Sequence, residues 1–173
     1  MLFKIAGSII VILSCTFLGC ILSADCKRRP RQLRELQSML QMFENQISYL
    51  SDVIVEAFER ISKVGCNETC IFFSRTVEIL KEERSISASQ AWEKAVRQNI
   101  RKTSLNQEDE EVLLGFGRIL GSSDLEGQIK NIRLTLGQLK LQEGKAEDSR
   151  SKNENMYRSL GILGGIAVVI VLL

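Results

Sequence analysis

The sequence predicts an all-α protein: an antiparallel bundle of about six helices with a transmembrane helix at each end. Uncharged runs at 5–24 and 160–173 bracket a polar middle, and the first is long enough for a helix to cross a hydrocarbon core of ~30 Å. Within the middle part, apolar residues recur every three or four positions, as in amphipathic helices. The chain has only one proline, and strand-like alternation is scarce, so helix is favoured throughout.

These patterns divide the chain into three parts. Residues 1–26 are predicted to form an N-terminal transmembrane helix with its basic flank, 27–158 a cytoplasmic helical-bundle domain, and 159–173 a C-terminal transmembrane helix. Basic side chains crowd the domain side of both runs, so the positive-inside rule places the domain in the cytoplasm and both termini outside. The first run is followed at once by Lys27, Arg28, Arg29, Arg31 and Arg34. A cleaved signal peptide is the alternative for this run.

The first half of the domain contains three predicted helices. The stripe of the first helix consists of Leu33, Leu36, Leu40, Phe43, Ile47 and Leu50. Capping chemistry at Ser51 and Asp52 then predicts a break, although one long bent helix is the alternative. The second stripe consists of Ile54, Ala57, Phe58 and Ile61, and the third of Ile71, Phe72, Phe73, Val77 and Leu80. A turn at 65–67 separates these two stripes.

Three further helices are predicted from their capping residues. Ser87 and Gln90 match a capping box that opens the fourth helix, with Ala91, Trp92, Ala95 and Val96 facing inward. Asn106 caps the fifth helix, whose first turns are acidic, and Gly121 ends it. Ser123 and Asp124 cap the last helix. Its core stripe consists of Ile129, Ile132, Leu136 and Leu139. Beyond Leu141 the pattern is wholly polar up to Tyr157, which predicts a helical stalk without a core face.

Composition excludes several classes of function. The chain has no histidine, so histidine-based acid–base catalysis, Ser-His or Cys-His nucleophiles and His-ligated zinc are absent. The 23 basic and 21 acidic side chains nearly balance, unlike those of a nucleic-acid binder. Cys66 and Cys70 do not have the spacing of a zinc pair and are interpreted as ordinary thiols, because the predicted topology places them in a reducing compartment; a disulfide is the alternative. We therefore expect no enzyme, no catalytic, cofactor or metal site, no nucleic acid and no small-molecule substrate.

Several motifs follow one another along nearly the whole chain. They are Arg29-Pro30 with Leu33 and Leu36, Tyr49, Glu56-Ala57, Ala91-Trp92-Glu93, Leu113-Leu114-Gly115-Phe116-Gly117, Leu120-Gly121, Asp124, Gln128, Ile132 and Met156-Tyr157-Arg158-Ser159-Leu160-Gly161. In this order they resemble the motifs of the stage III sporulation protein AB family of endospore-forming bacteria. The family commonly has a proline-containing turn after the tyrosine, whereas this chain has Ser51-Asp52-Val53-Ile54-Val55.

The resemblance implies a fold similar to the cytoplasmic domains of type II secretion F proteins. It also implies a non-catalytic platform in the mother-cell membrane facing the forespore. The implied partners are the membrane, other subunits of a channel complex and a cytoplasmic secretion-type ATPase. The sequence leaves open whether the chain also forms a homo-oligomer. Candidate contact features are the acidic turn Glu108–Glu111, the segment Asp124–Gln128 and the polar stalk. A membrane-anchored sensor that binds a ligand within the bundle is the alternative function, and a histidine-free membrane hydrolase is a further one.

Overall fold

The computed structural model describes residues 27–50, 54–64, 68–83, 85–121 and 124–172, and all secondary structure in these ranges is helical. The helices are α1 (Arg28–Leu50), α2 (Ile54–Val64), α3 (Ile71–Glu82), α4 (Ala88–Asn99), α5 (Gln107–Ile119) and α6 (Leu125–Leu172). Short 3₁₀ turns, Glu68–Cys70 and Ile100–Lys102, precede α3 and follow α4. The predicted all-helical class is confirmed. The expected N-terminal membrane helix lies outside the described residues.

Side-chain caps begin α4 and α5 where the sequence predicts them. Ser87 Oγ accepts from the backbone N–H of Gln90 at 3.2 Å, and the Gln90 side chain accepts from the Ser87 N–H at 3.3 Å. In the same way, Asn106 Oδ1 accepts from the backbone N–H of Asp109 at 3.0 Å, and Asp109 Oδ2 accepts from the backbone N–H of Asn106 at 2.9 Å. Each box satisfies backbone donors that the first helical turn leaves unpaired. Both predicted caps are therefore confirmed.

The stripe predicted on α1 is its buried face. Leu33, Leu36, Leu40 and Phe43 are fully buried, and Ile47 is 3% exposed. The helix ends at Leu50 and α2 begins at Ile54, as predicted, whereas Ser51 and Asp52 lie outside the described residues. The inward residues predicted for α4 are likewise buried, and so are Ala57, Phe58 and Ile61 of α2, whereas Ile54 is only half-buried.

The core is organised around five aromatic rings, one from each of the first five helices. Phe43 contacts Phe58 at 4.9 Å between ring centroids, Phe58 contacts Phe73 at 5.0 Å, and Phe73 contacts Trp92 at 5.1 Å. Trp92 contacts Phe116 at 5.1 Å, and Phe116 returns to Phe43 at 6.1 Å, so the contacts form a closed circuit. Most of these pairs are edge-to-face, the arrangement that the ring quadrupoles favour. Five helices are thus joined through one apolar cluster.

Helix α6 packs on this bundle through a narrower stripe. Ile132 and Leu139 are buried, as predicted, whereas Ile129 and Leu136 are only half-buried. Asn131 Nδ2 donates to the carbonyl oxygen of Phe116 at 3.2 Å and ties α6 to α5. The C-terminal end of α5 is marked by Gly121, whose φ of 77° lies in the left-handed region that glycine adopts without strain. The predicted helix stop at this residue is confirmed.

By internal packing, the chain divides into two units. One comprises Arg31–Gly144 and contains the aromatic core. The other comprises the chain up to Pro30 together with Lys145–Leu173, and in it Lys27 Nζ lies 3.7 Å from Glu154 Oε1. Within the described residues, no helix combines the length and the apolarity that crossing a bilayer requires.

Candidate interaction surface

The acidic turn Glu108–Glu111 is largely used for folding. Asp109 is fully buried as the second member of the α5 capping box. Glu108 accepts a hydrogen bond from the Gln142 side chain at 3.0 Å, which links α5 to α6. Glu108 and Glu111 are exposed, and Glu110 is half-buried. The turn therefore stabilises the packing of α5 more than it presents a binding site.

The segment Asp124–Gln128 has a similar structural role. Asp124 Oδ1 accepts from the backbone N–H of Gly127 at 3.0 Å, which is an N-cap for α6. The backbone N–H of Gln128 then donates to the Asp124 carbonyl at 2.9 Å and begins the helical ladder. The predicted cap at Asp124 is confirmed, and Ser123 lies outside the described residues.

The prediction that α6 has no core face beyond Leu141 is wrong. Gln142 is 9% exposed and Ala146 is 3% exposed. Gln142 can be buried because its amide donates to Glu108, so its polar group is not left unsatisfied. A search for large apolar residues misses this face, because Gln142 is polar and the side chain of Ala146 is small.

Charged side chains pair α1 with α6 in antiparallel register. Arg34 Nε donates to Glu143 Oε1 at 2.5 Å, and Gln37 Nε2 donates to Glu143 Oε2 at 2.9 Å. Two to three turns further along α1, Glu44 accepts from Arg133 Nε at 2.6 Å. The hydrogen bond from Arg34, followed by that from Gln37, holds the pKa of the Glu143 carboxyl below its usual range. An ion pair of the same kind joins α2 to α3, where Lys81 lowers the pKa of Glu59.

A buried glutamine, which the sequence pattern did not single out, joins α1 to two turns. Gln32 is 3% exposed. Its Nε2 donates to Glu68 Oε2 at 2.5 Å, and its Oε1 accepts from the backbone N–H of Ser104 at 2.8 Å. Nearby, Thr69 donates to Glu35 at 3.3 Å. Gln32 lies directly before Leu33 of the apolar stripe, and a polar residue beside a core position is the only signal that could have indicated this role.

The described residues provide no obvious reactive centre. No group of three or more His, Cys, Asp or Glu side chains among them is arranged to hold a metal ion. Cys70 is buried with Sγ 3.4 Å from the Ser62 carbonyl oxygen, and Cys66 lies outside the described residues. The interior that a sensor would use for a ligand is occupied, in this part of the chain, by the aromatic circuit.

The outer face of α6 is the most unusual surface of the bundle. Leu134 is 60% exposed and Leu141 is 70% exposed, and they lie seven residues apart on the side opposite Ile132 and Leu139. Both leucines lie outside the core stripe predicted for α6, and no role was predicted for the face that they form. The seven-residue spacing of Leu134 and Leu141, offset from that stripe, was the available signal.

Comparisons with known proteins give a consistent result. The family model described as Stage III sporulation protein AB matches residues 4–173. Stage III sporulation protein AB of Bacillus subtilis (strain 168) is 33% identical over 170 residues, which cover 98% of this chain and 99% of that protein. A solved structure of stage III sporulation protein AB aligns with a TM-score of 0.67 at 34% identity, covering 72% of this chain and 98% of its own. The chain therefore belongs to the stage III sporulation protein AB family.

Proposed function

We propose that this protein is a non-catalytic membrane platform subunit of a sporulation secretion or channel complex between mother cell and forespore. In this proposal both terminal segments span the mother-cell membrane. The helical domain lies in the cytoplasm, where it engages a secretion-type ATPase and other subunits of the complex, with no small-molecule substrate and no nucleic acid. The domain resembles the cytoplasmic domains of type II secretion F proteins.

The observation that carries this proposal is the family match over residues 4–173, which includes both uncharged terminal runs. The Bacillus subtilis relative, which matches over nearly its whole length, is named after a stage of sporulation. This name supports a role of the present chain during sporulation. The uncharged run 5–24 has the length of a membrane span, and the basic residues after it favour retention on the cytoplasmic side.

The packing of the helical unit supports a mechanical role. Its aromatic circuit joins five helices, and its polar side chains are used in caps and helix-to-helix pairs. An interior of this kind is close-packed and transmits strain with little deformation. Such a body suits a subunit that holds its neighbours in position while a motor works against it.

Co-purification with the ATPase tests this proposal. The full chain, solubilised in mild detergent, is mixed with the purified secretion-type ATPase of the same cells and recovered through an affinity tag. We expect the ATPase to be recovered with the chain and not with an unrelated two-span protein in the same detergent. Recovery of equal amounts with both proteins, or with neither, would contradict the proposed engagement.

A further inference from the structure

Helix α6 is attached to the helical unit by less apolar burial than its neighbours. Its part Leu125–Gly144 contains no aromatic residue, so it contributes no ring to the aromatic circuit. Of its apolar side chains, only Ile132 and Leu139 are buried. Helix α4 is shorter and yet buries Ala91, Trp92, Ala95 and Val96. Because apolar area removed from water is the main stabilising term in packing, this part of α6 is held less strongly than α4.

Polar contacts supply much of the remaining attachment of Leu125–Gly144. Thr135 and Gln142 occupy buried positions of its inner stripe, at 2% and 9% exposure. Gln142 donates to Glu108, and Arg133 donates to Glu44 although the Arg133 side chain is 70% exposed. When such groups separate, water replaces the lost partners, so each bond adds little net stability. These contacts fix the position of the helix without making its separation costly.

The same part of α6 is also intrinsically weak as a helix. Gly137 and Gly144 lie inside it, and glycine is among the poorest residues for a helix interior. A Cβ added at either position would meet nothing within 4 Å, and neither residue has a positive φ, so packing and backbone conformation do not require them. A helix in water depends on packing for most of its stability. Both sources of stability are therefore low in one segment.

We propose that Leu125–Gly144 of α6 is a releasable strap, which leaves the bundle and unfolds while the other five helices stay folded. Elements with few buried apolar contacts open at a lower free energy than the core does. Release breaks no contact of the aromatic circuit and uncovers Phe43 and Phe116, which line one crevice together with Ile132. The strap is a conformational device of the fold and does not depend on the proposed function.

Two buried threonines offer a matched test of this inference. Thr135 on α6 donates to the Asn131 carbonyl at 2.9 Å, and Thr76 on α3 donates to the Phe72 carbonyl at 2.7 Å. Each is replaced by cysteine in a full chain whose five cysteines have been replaced, in detergent micelles. The rate of reaction with a maleimide then reports how often each position opens. We expect Thr135→Cys to react at least about tenfold faster than Thr76→Cys.

Glycine variants separate release of the strap from unfolding of the whole unit. Gly115→Ala on α5, where an added Cβ meets nothing within 4 Å, stabilises the bundle whether the strap is closed or released. It should slow the labelling of Thr76→Cys by up to about fivefold and leave that of Thr135→Cys unchanged. Gly137→Ala with Gly144→Ala stabilises the closed strap and should slow the labelling of Thr135→Cys by about tenfold or more.

The stability of each cysteine variant is measured by urea unfolding with Trp92 fluorescence, so that a weakened fold is not mistaken for release. Labelling of Thr135→Cys should be faster than global unfolding of the same variant allows, whereas labelling of Thr76→Cys should match global unfolding. Two results would overturn the inference. One is labelling of Thr135→Cys at the rate set by global unfolding. The other is slowing of both thiols by the same factor in Gly115→Ala, since α6 would then open only with the whole unit.

Discussion

At the residue scale, Gly117 packs directly against the ring of Trp92. A Cβ at position 117 would lie 2.3 Å from Trp92 Cδ1, so the ring must move if the glycine acquires a side chain. The ring has little room to do so, because it contacts three phenylalanine rings and its Nε1 donates to the Leu113 carbonyl at 2.8 Å. Gly117 is therefore required by packing and not by backbone conformation.

Gly117→Ala should lower the free energy of unfolding by about 1–3 kcal/mol, the usual cost of overpacking a core. The matched control is Gly115→Ala on the same helix, where an added Cβ meets nothing within 4 Å. That control should gain up to about 1 kcal/mol from helix propensity. Urea unfolding followed by the fluorescence of Trp92, the single tryptophan, measures both. Equal effects of the two substitutions would contradict the packing of Gly117 against the ring.

At the element scale, the pairing of α1 with α6 depends on side chains whose state changes with pH. The pKa of Glu143 is lowered in the folded chain, first by the hydrogen bond from Arg34. A lowered folded-state pKa means that the carboxylate contributes stability above its ordinary pKa of 4.5. This contribution is lost as the pH falls through the lower, folded-state value.

Glu143→Gln should cost about 0.2–1 kcal/mol at pH 7, because the Arg34 side chain is 56% exposed and solvent weakens the pair. The difference between the two chains should shrink as the pH falls below 4.5 and vanish once Glu143 is protonated in the fold. A double-mutant cycle with Arg34→Gln, followed by urea unfolding at several pH values, isolates the pair. A coupling energy that grows towards acid pH would contradict this account.

The elements also show what could be derived from the sequence. The capping box at Ser87 and the cap at Asn106 were predicted because all their atoms lie within four residues of one another. The α1 stripe was predicted because its period is regular. The burial of Gln142 and the bridging role of Gln32 could not be predicted, since each depends on a partner 34 or more residues away. Leu134 and Leu141 were left out of the predicted core stripe, but only packing shows that they remain 60% and 70% exposed.

At the scale of the whole molecule, family membership follows from the full-length match, whereas the location of the helical domain is a separate physical claim. It rests on the uncharged runs at 5–24 and 160–173 and on the basic residues that flank them on the domain side. A platform that receives a cytoplasmic motor requires this orientation. An exported domain could not meet an ATPase of the mother-cell cytoplasm.

Cysteine labelling in intact cells tests this claim most directly. In a chain whose five cysteines are replaced and which is produced in non-sporulating cells, where the outer face of the cell membrane meets the medium, Ser151→Cys introduces a thiol at an exposed position of α6. A cysteine added after Leu173 serves as the matched control. The account predicts that a membrane-impermeant maleimide labels the added C-terminal cysteine in intact cells but labels Ser151→Cys only after permeabilisation. Labelling of Ser151→Cys in intact cells would contradict it.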